Sequence, residues 1–444
     1  MSAPASTFLR KSLWTTLGFI GTYALRFLLN ILLTRLLAPD MMGVLVIVYA
    51  VRLGMELLTD IGIEQNIIHH PDGISPHFRN VAWTLQVARG AFLSLIFAAS
   101  VPVIADFYHI ERGLLYVMAI SPLLGGLHST AIFVLVRQLD VSRRNLFELG
   151  SEVLAFGVTI TLTWLTRSVW APVCGAVLAV IIRSALSYLL PDARQRFVFD
   201  WPTYRRIFTF GRWIALTSLL IYATGNLDRL FFGRFVPLQL VGVYGIARTM
   251  AEIPTVFARR ISYQILFPAM ARWQEGGVHD QLLTMRRLLV LAAAAGLALA
   301  ATGADWIIGL LYDPRYVRAG WILAILLPAS LISILANLNE GLLLAEGRAA
   351  SSTLASLGKL AAVLVGLPLA FKAWGFAFSV LALVPAELVY YLCITFGIRV
   401  MRRDVLQQDL MAIGMALGFL LLFELLRAWA GFSSPFAGIA GGSV

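Results

Sequence analysis

Apolar runs of about 20 residues recur from Leu13 almost to the end of the chain, and they constrain its fold more than any other feature. Each run is long enough to cross a hydrocarbon layer of ~30 Å as a helix, whose backbone groups satisfy one another where no water can. The short alternating segments of a membrane barrel are missing. With 59% hydrophobic residues, 13% charged residues and a mean hydropathy of +0.82, the 444-residue chain reads as an all-α polytopic membrane protein. Spans are predicted at residues 12–36, 41–65, 78–105, 113–136, 146–166, 170–190, 207–232, 238–262, 286–304, 317–344, 351–371, 374–398 and 406–430. No connection exceeds roughly 25 residues, so no independent soluble domain is expected and any chemistry belongs inside the membrane.

The net charge of +11 could suit a nucleic-acid partner, but its distribution follows the positive-inside rule. Placing the N-terminus in the cytoplasm puts about 21 Lys and Arg inside, about 8 outside and about 6 within spans. A multi-pass membrane location with the N-terminus in the cytoplasm is expected, and no nucleic acid. Arg10 and Lys11 precede the first run as in a signal peptide, yet its length and the missing small-residue cleavage site mark a retained span. Cys174 and Cys393 both lie in apolar spans and read as packing residues. The longest polar segments, 191–206 and 267–287, are basic and aromatic, which predicts amphipathic helices at the headgroup level.

An internal repeat organises the spans. "TRLLAPDMMGV" at 34–44 aligns with "GRFVPLQLVGV" at 233–243, matching Arg35 to Arg234, Gly43 to Gly242 and Val44 to Val243. Pro39 and Pro237 suit helix starts, and Asp40 suits the positive end of a helix dipole. With a three-residue deletion, Arg52, Glu56 and Thr59 match Arg248, Glu252 and Thr255. Six spans, an even number, separate the two copies, so the halves share one orientation. Two pseudo-twofold-related six-helix bundles around a central cavity follow, about 12 core spans plus a C-terminal span. The expected division is an N-terminal bundle at 1–191, a cytoplasmic linker at 192–206, a C-terminal bundle at 207–400 and an additional span with an outer tail at 401–444.

Charges within the spans point to the functional region. Residues four apart share a helix face, so Arg52, Glu56 and Asp60 form one predicted stripe, and Arg248 and Glu252 another. An Arg or Asp at a span centre costs about 2.5–3.5 kcal/mol, and each Leu or Ile returns only about 0.3–0.6. Three charges in one span therefore need partners or water. Mutual neutralisation along a buried face is one reading. A water-filled cavity is favoured, because a desolvated ion pair is often no more stabilising than apolar side chains. Arg26 in the first span, and Asn226, Asp228 and Arg229 in the seventh, add to the same set. Arg89 and Arg183 lie nearer the cytoplasmic end and read as snorkelling to water. Glu340, near Asn337 and Asn339, suits titration or an interhelical hydrogen bond, and His128 reads as a satisfied polar residue.

Catalytic signatures are missing: no phosphate-binding loop, nucleophile elbow or metal-spaced His/Cys cluster is present, and His69 with His70 alone makes no metal site. The chain is expected not to be an enzyme and to need no cofactor.

Several stretches together resemble one family, the polysaccharide transporters or oligosaccharide flippases (Wzx-like) of the multidrug/oligosaccharidyl-lipid/polysaccharide exporter superfamily. They are "LLTRLLAPDMMGVLVIVYAV" with "LLTDIGIEQNII", "FVLVRQLDVSRRNLFELGSEV", "GNLDRLFFGRFVPLQLVGVYGIARTMAEIP", "FPAMARW", and "LLYDPRYVRAGWILAILLPA" with "LLLAEGR". The resemblance implies alternating access between two openings, with a polyprenyl-diphosphate-linked glycan turned from the cytoplasmic to the periplasmic leaflet. Guanidinium forks bind phosphate oxygens bidentately, so Arg26, Arg52, Arg229 and Arg248 are the expected diphosphate ligands. Glu56, Asp60, Asn226, Asp228, Glu252 and Glu340 are expected to line the cavity or bind a coupling proton or sodium ion. Membrane lipids and polysaccharide assembly proteins are the expected partners. A multidrug-type small-molecule antiporter is the alternative. A membrane glycosyltransferase or polymerase using Asp40 as an acid is a further one, disfavoured by the lack of a large outer loop.

Overall fold

Helices occupy each position expected of a span in the computed structural model, which describes residues 5–266, 279–399 and 402–439. No strand occurs among the described residues. Of the expected headgroup segment at 267–287, residues 267–278 lie outside the description, as does most of the resembling stretch "FPAMARW". Ten helices are long and apolar enough to cross a membrane, eleven if one bent set counts as a span. The remaining two expected spans are α2 (Pro39–Leu57), which carries three charged side chains, and α11 (Leu238–Ile261), which carries four.

Contacts divide the chain into two compact units, residues 1–222 and 223–444. The division falls within the long helix α10 (Trp201–Phe235). The repeat is visible in the helix ends. α1 (Ala5–Leu36) stops three residues before α2 starts at Pro39, and α10 stops three residues before α11 starts at Leu238. Pro39 takes the first helical turn of α2, where its missing N–H costs nothing, and Asp40 lies in the same turn.

In the first unit the second span is not one helix over 41–65. α2 ends at Leu57, and α3 (Ile63–His69) starts after a break. Asp60 Oδ1 accepts from the Gly62 N–H at 3.1 Å, a side-chain turn that competes with the helix, and Gly62 adopts φ +59°, which favours glycine. Asp60 therefore belongs to the break and not to a helical stripe. α10 passes close beside it. Gly211 faces the Ile61 carbonyl, Ser218 donates to Asp60 Oδ2 at 3.0 Å, and the Tyr222 hydroxyl donates to the Ala50 carbonyl at 2.8 Å over Gly54. A methyl group on Gly211 would sit 2.2 Å from the Ile61 oxygen. Gly211→Ala is accordingly expected to destabilise the protein by about 1–3 kcal/mol, read as a lowered melting temperature in detergent.

α4 (Pro76–Tyr108) is a continuous span, whereas the fourth span is bent by 58° between α5–α6 (Arg112–Ala119, Ser121–Gly126) and α7 (Ala131–Arg137). Gln86 of α4 stabilises the bend by donating to the Gly126 and His128 carbonyls, both at 2.9 Å. Gly90 and Gly126 allow the two backbones to touch. Arg137 places its guanidinium on the Ile67 carbonyl at 2.8 Å and on the His70 carbonyl, closing the end of α3. α8 (Val141–Thr166) and α9 (Trp170–Ser187) complete this unit.

The segment 193–200 is an extended strap, and helix begins only at Trp201, so the interfacial helix expected over 191–206 does not form there. Side chains of α4 satisfy its backbone: Arg196 N–H donates to Asn80 Oδ1 at 3.1 Å and Val198 N–H to Thr84 Oγ1 at 3.0 Å. At its end, hydrogen bonds from Thr203 and from His77 hold the Asp200 carboxyl below the ordinary carboxylate range.

The second unit is built on α14 (Ala319–Ala345), which is buried along most of its length. Around it pack α11, α12 (His279–Thr302), α13 (Ala304–Leu311) and α17 (Leu383–Gly397). α15 (Ala349–Trp374) pairs with α17 and the short α16 (Phe376–Leu381), and α18 (Arg402–Trp429) lies on α12. A buried ionic network ties α18 in. Arg286 Nη2 meets Asp409 Oδ1 at 2.5 Å, and both side chains are almost fully inaccessible, at 2% and 0% exposure. Asn339 and the Tyr391 hydroxyl each donate to Asp409 Oδ2 at 3.0 Å, and Gln408 accepts from Arg286 at 2.9 Å. The C-terminal span is thus fastened by charge to the second unit.

Candidate functional site

A polar cavity of about 560 Å³ lies inside the first unit. Its walls come from α2 (Arg52, Glu56), the break (Asp60), α3 (Glu64), α4 (Gln86, Arg89), the bend (His128), α8 (Arg144, Glu148) and α9 (Arg183). Four guanidinium groups and four carboxylates thus face one space. Most are spoken for. Arg52 Nε binds Glu56 Oε1 at 2.8 Å, and Arg183 Nη2 binds Glu148 Oε1 at 2.8 Å with its guanidinium 5.6 Å from the Phe147 ring centre. Arg89 Nε donates to Thr59 Oγ1 at 3.1 Å and its Nη2 to the Glu56 carbonyl, which closes the frayed end of α2. Arg144 and Glu64 make no side-chain hydrogen bond or ion pair with any described residue. The site therefore holds one guanidinium whose donors are open to a ligand.

Of the residues expected from sequence, Arg52, Glu56 and Asp60 come together here. Arg89 and Arg183 do not snorkel away but line the same cavity, because the bent fourth span leaves room that polar side chains fill. His128 is a wall residue, 9% exposed and packed against Phe133 and Phe147. Arg144 and Glu148 were not expected: Arg144 falls in the connection before the span at 146–166, and Glu148 at the start of that span was not singled out. Their spacing of four, the same Arg-x-x-x-Glu spacing as Arg52 and Glu56, is the signal that could have found them.

The remaining expected residues form other groupings. Arg26 makes a two-pronged contact with Glu152 of α8, at 2.8 and 3.1 Å. In the second unit, Arg229 Nη2 binds Glu252 at 2.8 Å and its Nη1 binds Asn226 at 3.0 Å. Arg248 Nε lies 2.9 Å from Asp228 and 3.3 Å from Glu252, while the Tyr244 hydroxyl and the Arg229 N–H both donate to Asp228. Two arginines and two carboxylates there cancel, and the mutual pairing of Arg248 with Glu252 weighed from the sequence is formed. Glu340 accepts from Ser352 and is 9% exposed. No group of three or more His, Cys, Asp or Glu among the described residues is placed to hold a metal ion.

Residues 32–319, well over half of the chain, match the family described as polysaccharide biosynthesis protein. The chain is similar to the teichuronic acid biosynthesis protein TuaB of Bacillus subtilis, with 26% identity over 66% of this chain and 62% of that protein. It also resembles the lipopolysaccharide biosynthesis protein WzxC of Escherichia coli, with 21% identity over 59% of this chain and 54% of that protein. The chain's match thus spans less than two thirds of the length of these relatives. Among solved structures, the lipid II flippase MurJ in an inward closed conformation superposes with a TM-score of 0.67 over 95% of this chain and 99% of that chain, at 10% identity. An inward-facing multidrug resistance MATE transporter of the MOP superfamily gives 0.64 over 89% and 95%, at 12% identity. These likenesses are of fold. On the match of its own sequence, the chain belongs to the polysaccharide biosynthesis protein family.

Proposed function

We propose that the protein is a flippase that moves a polyprenyl-diphosphate-linked oligosaccharide from the cytoplasmic to the periplasmic leaflet of a bacterial inner membrane, for cell-surface polysaccharide biosynthesis. Transport would be ion-coupled alternating access, with the N-terminus in the cytoplasm, and no covalent chemistry on the glycan. The observation that carries the reading is the arginine-lined cavity, with Arg144 unpaired among the described residues. A lipid diphosphate is a compact polyanion, and a guanidinium inside a low-dielectric cavity binds it far more strongly than it would in water. The family membership and the names of the relatives, which are polysaccharide biosynthesis proteins, support the same substrate class.

The sequence-derived ligands are reordered in this proposal. Arg52 stays in the site and is joined by Arg144 and Arg183, which line the same cavity, with Arg144 the one not paired to a carboxylate among the described residues, while Arg229, Arg248 and Arg26, which lie outside that cavity and are paired to carboxylates, serve as a second set. A multidrug-type antiporter is the other reading of the same fold. The cavity's four arginines face four carboxylates, so its charge alone does not separate the two readings; the family match, to polysaccharide biosynthesis proteins, favours the glycan.

The test is leaflet exchange of a labelled polyprenyl-diphosphate oligosaccharide in proteoliposomes. Exchange above that of protein-free vesicles is expected, and it should increase when an ion gradient is imposed. Absence of exchange with several glycans, together with drug-stimulated proton flux, would replace this reading by the antiporter.

A further inference from the structure

Glu387 sits in α17, inside an apolar span, with 7% of its surface exposed, and its Oε2 has no hydrogen-bond partner among the described residues. Its Oε1 accepts from Lys359 Nζ of α15 at 2.6 Å, and that ammonium lies 5.4 Å from the centre of the Tyr390 ring. Neither residue belongs to the groups predicted from sequence. A bare carboxylate oxygen at this depth is costly, whereas an oxygen carrying a proton is a neutral acid. The same unit shows what a permanent buried ion pair looks like. Both oxygens of Asp409 are taken, one by Arg286 and the other by Asn339 and Tyr391. Glu387 is left half-satisfied by comparison.

The surroundings supply charge on one side and exchangeable groups on the other. α15 contributes Lys359, and Arg248 of α11 lies within electrostatic reach. α14 contributes Glu340, which the Tyr390 hydroxyl faces, and Arg259 of α11 is occupied by Asn337 at 3.2 Å. α18 contributes Asp409, already bound, and α16 has no titratable side chain.

We propose that Glu387 is a reversible proton-binding site, with Oε2 taking the proton and Lys359 acting as its fixed counter-charge. Uptake forms one O–H bond on Glu387 and breaks one in the hydronium ion that supplies the proton. The buried set of Arg229, Arg248 and Lys359 against Asp228, Glu252 and Glu387 then passes from balance to one positive charge in excess. An excess of that sign favours an anionic ligand, and by linkage an anionic ligand favours the proton. The role in ion coupling rests on the transport reading above. The binding of the proton does not.

Infrared difference spectroscopy on the substrate-free protein in lipid membranes, recorded as pH is stepped, tests the site directly. The native protein should show a protonated-carboxyl band that appears as pH falls and is lost in Glu387→Gln. In Lys359→Met the band should persist with its midpoint moved to higher pH, because removal of the ammonium disfavours the ionised form. A native protein without such a band, a band retained in full in Glu387→Gln, or a midpoint unmoved in Lys359→Met would overturn the proposal. Leaflet exchange measured on the same preparation succeeds or fails independently, which separates this proposal from the flippase reading.

Discussion

Asp409→Ala should destabilise the protein by about 3–5 kcal/mol, the loss expected when one partner of a buried ion pair is removed and the other stays charged. The cost is that of Arg286, 2% exposed, which would keep Gln408 and Asn339 as partners but lose its only counter-charge within reach among the described residues. Asn339 and Tyr391 would also lose their acceptor. The effect is predicted to be local to the second unit, where α18 detaches from α12 before the rest unfolds. Thermal unfolding in detergent checks the magnitude, and hydrogen exchange along residues 402–429 checks the place. The double variant Arg286→Met with Asp409→Leu provides the control, since replacing both partners by apolar side chains removes the orphaned charge and should recover most of the loss. A double variant as unstable as Asp409→Ala would show that packing around the network, and not its charge, fastens the last helix.

That network marks a limit of what the sequence makes legible. Span number and apolar periodicity are local properties, and the helix positions follow from them because lipid leaves the backbone no alternative to the helix. The turn between Leu36 and Pro39 and its counterpart between Phe235 and Leu238 were also readable, through proline and a constant offset. Asp60 was visible as a charge but not as a helix break, because the side-chain turn onto Gly62 depends on which of two hydrogen bonds the backbone chooses. Arg286 and Asp409 lie 123 residues apart, and each alone reads as a residue near a span end. Only tertiary packing makes them a pair. The candidate site divides in the same way. Arg52 and Glu56 stood out because they interrupt an apolar run, whereas Arg144 and Glu148 sit in the first turns of α8, at the edge of the predicted span, where charge is common. The arginines of the second half were correctly seen as buried charge, but Asp228 and Glu252 lie against them and offset that charge, which no carboxylate does for Arg144 at ion-pair distance among the described residues.

Arg144→Ala should therefore lower leaflet exchange more cleanly than any other single substitution in the cavity. Removing Arg248 would strand Asp228, which is 3% exposed, and removing Arg183 would strand Glu148, so a loss of transport in either case mixes binding with misfolding. Arg144 leaves no hydrogen-bonded partner behind among the described residues, although its charge acts on Glu64 across the cavity. A charge-assisted hydrogen bond is worth about 1.5–3 kcal/mol, and about 1.4 kcal/mol is tenfold, so the initial rate at subsaturating substrate should fall roughly 10–100-fold. Arg144→Lys keeps the charge but loses the planar fork that matches a phosphate edge, and an intermediate rate is expected. Added salt should weaken the native protein more than Arg144→Ala if the lost interaction is ionic, although the low dielectric of the cavity limits the screening. The measurement is exchange of the labelled polyprenyl-diphosphate oligosaccharide at several substrate densities, with the melting temperature of each variant recorded alongside. Full native rates in Arg144→Ala would remove this cavity as the diphosphate seat and direct attention to the paired arginines of the second unit, which would then have to exchange their carboxylates for the ligand during each transport cycle.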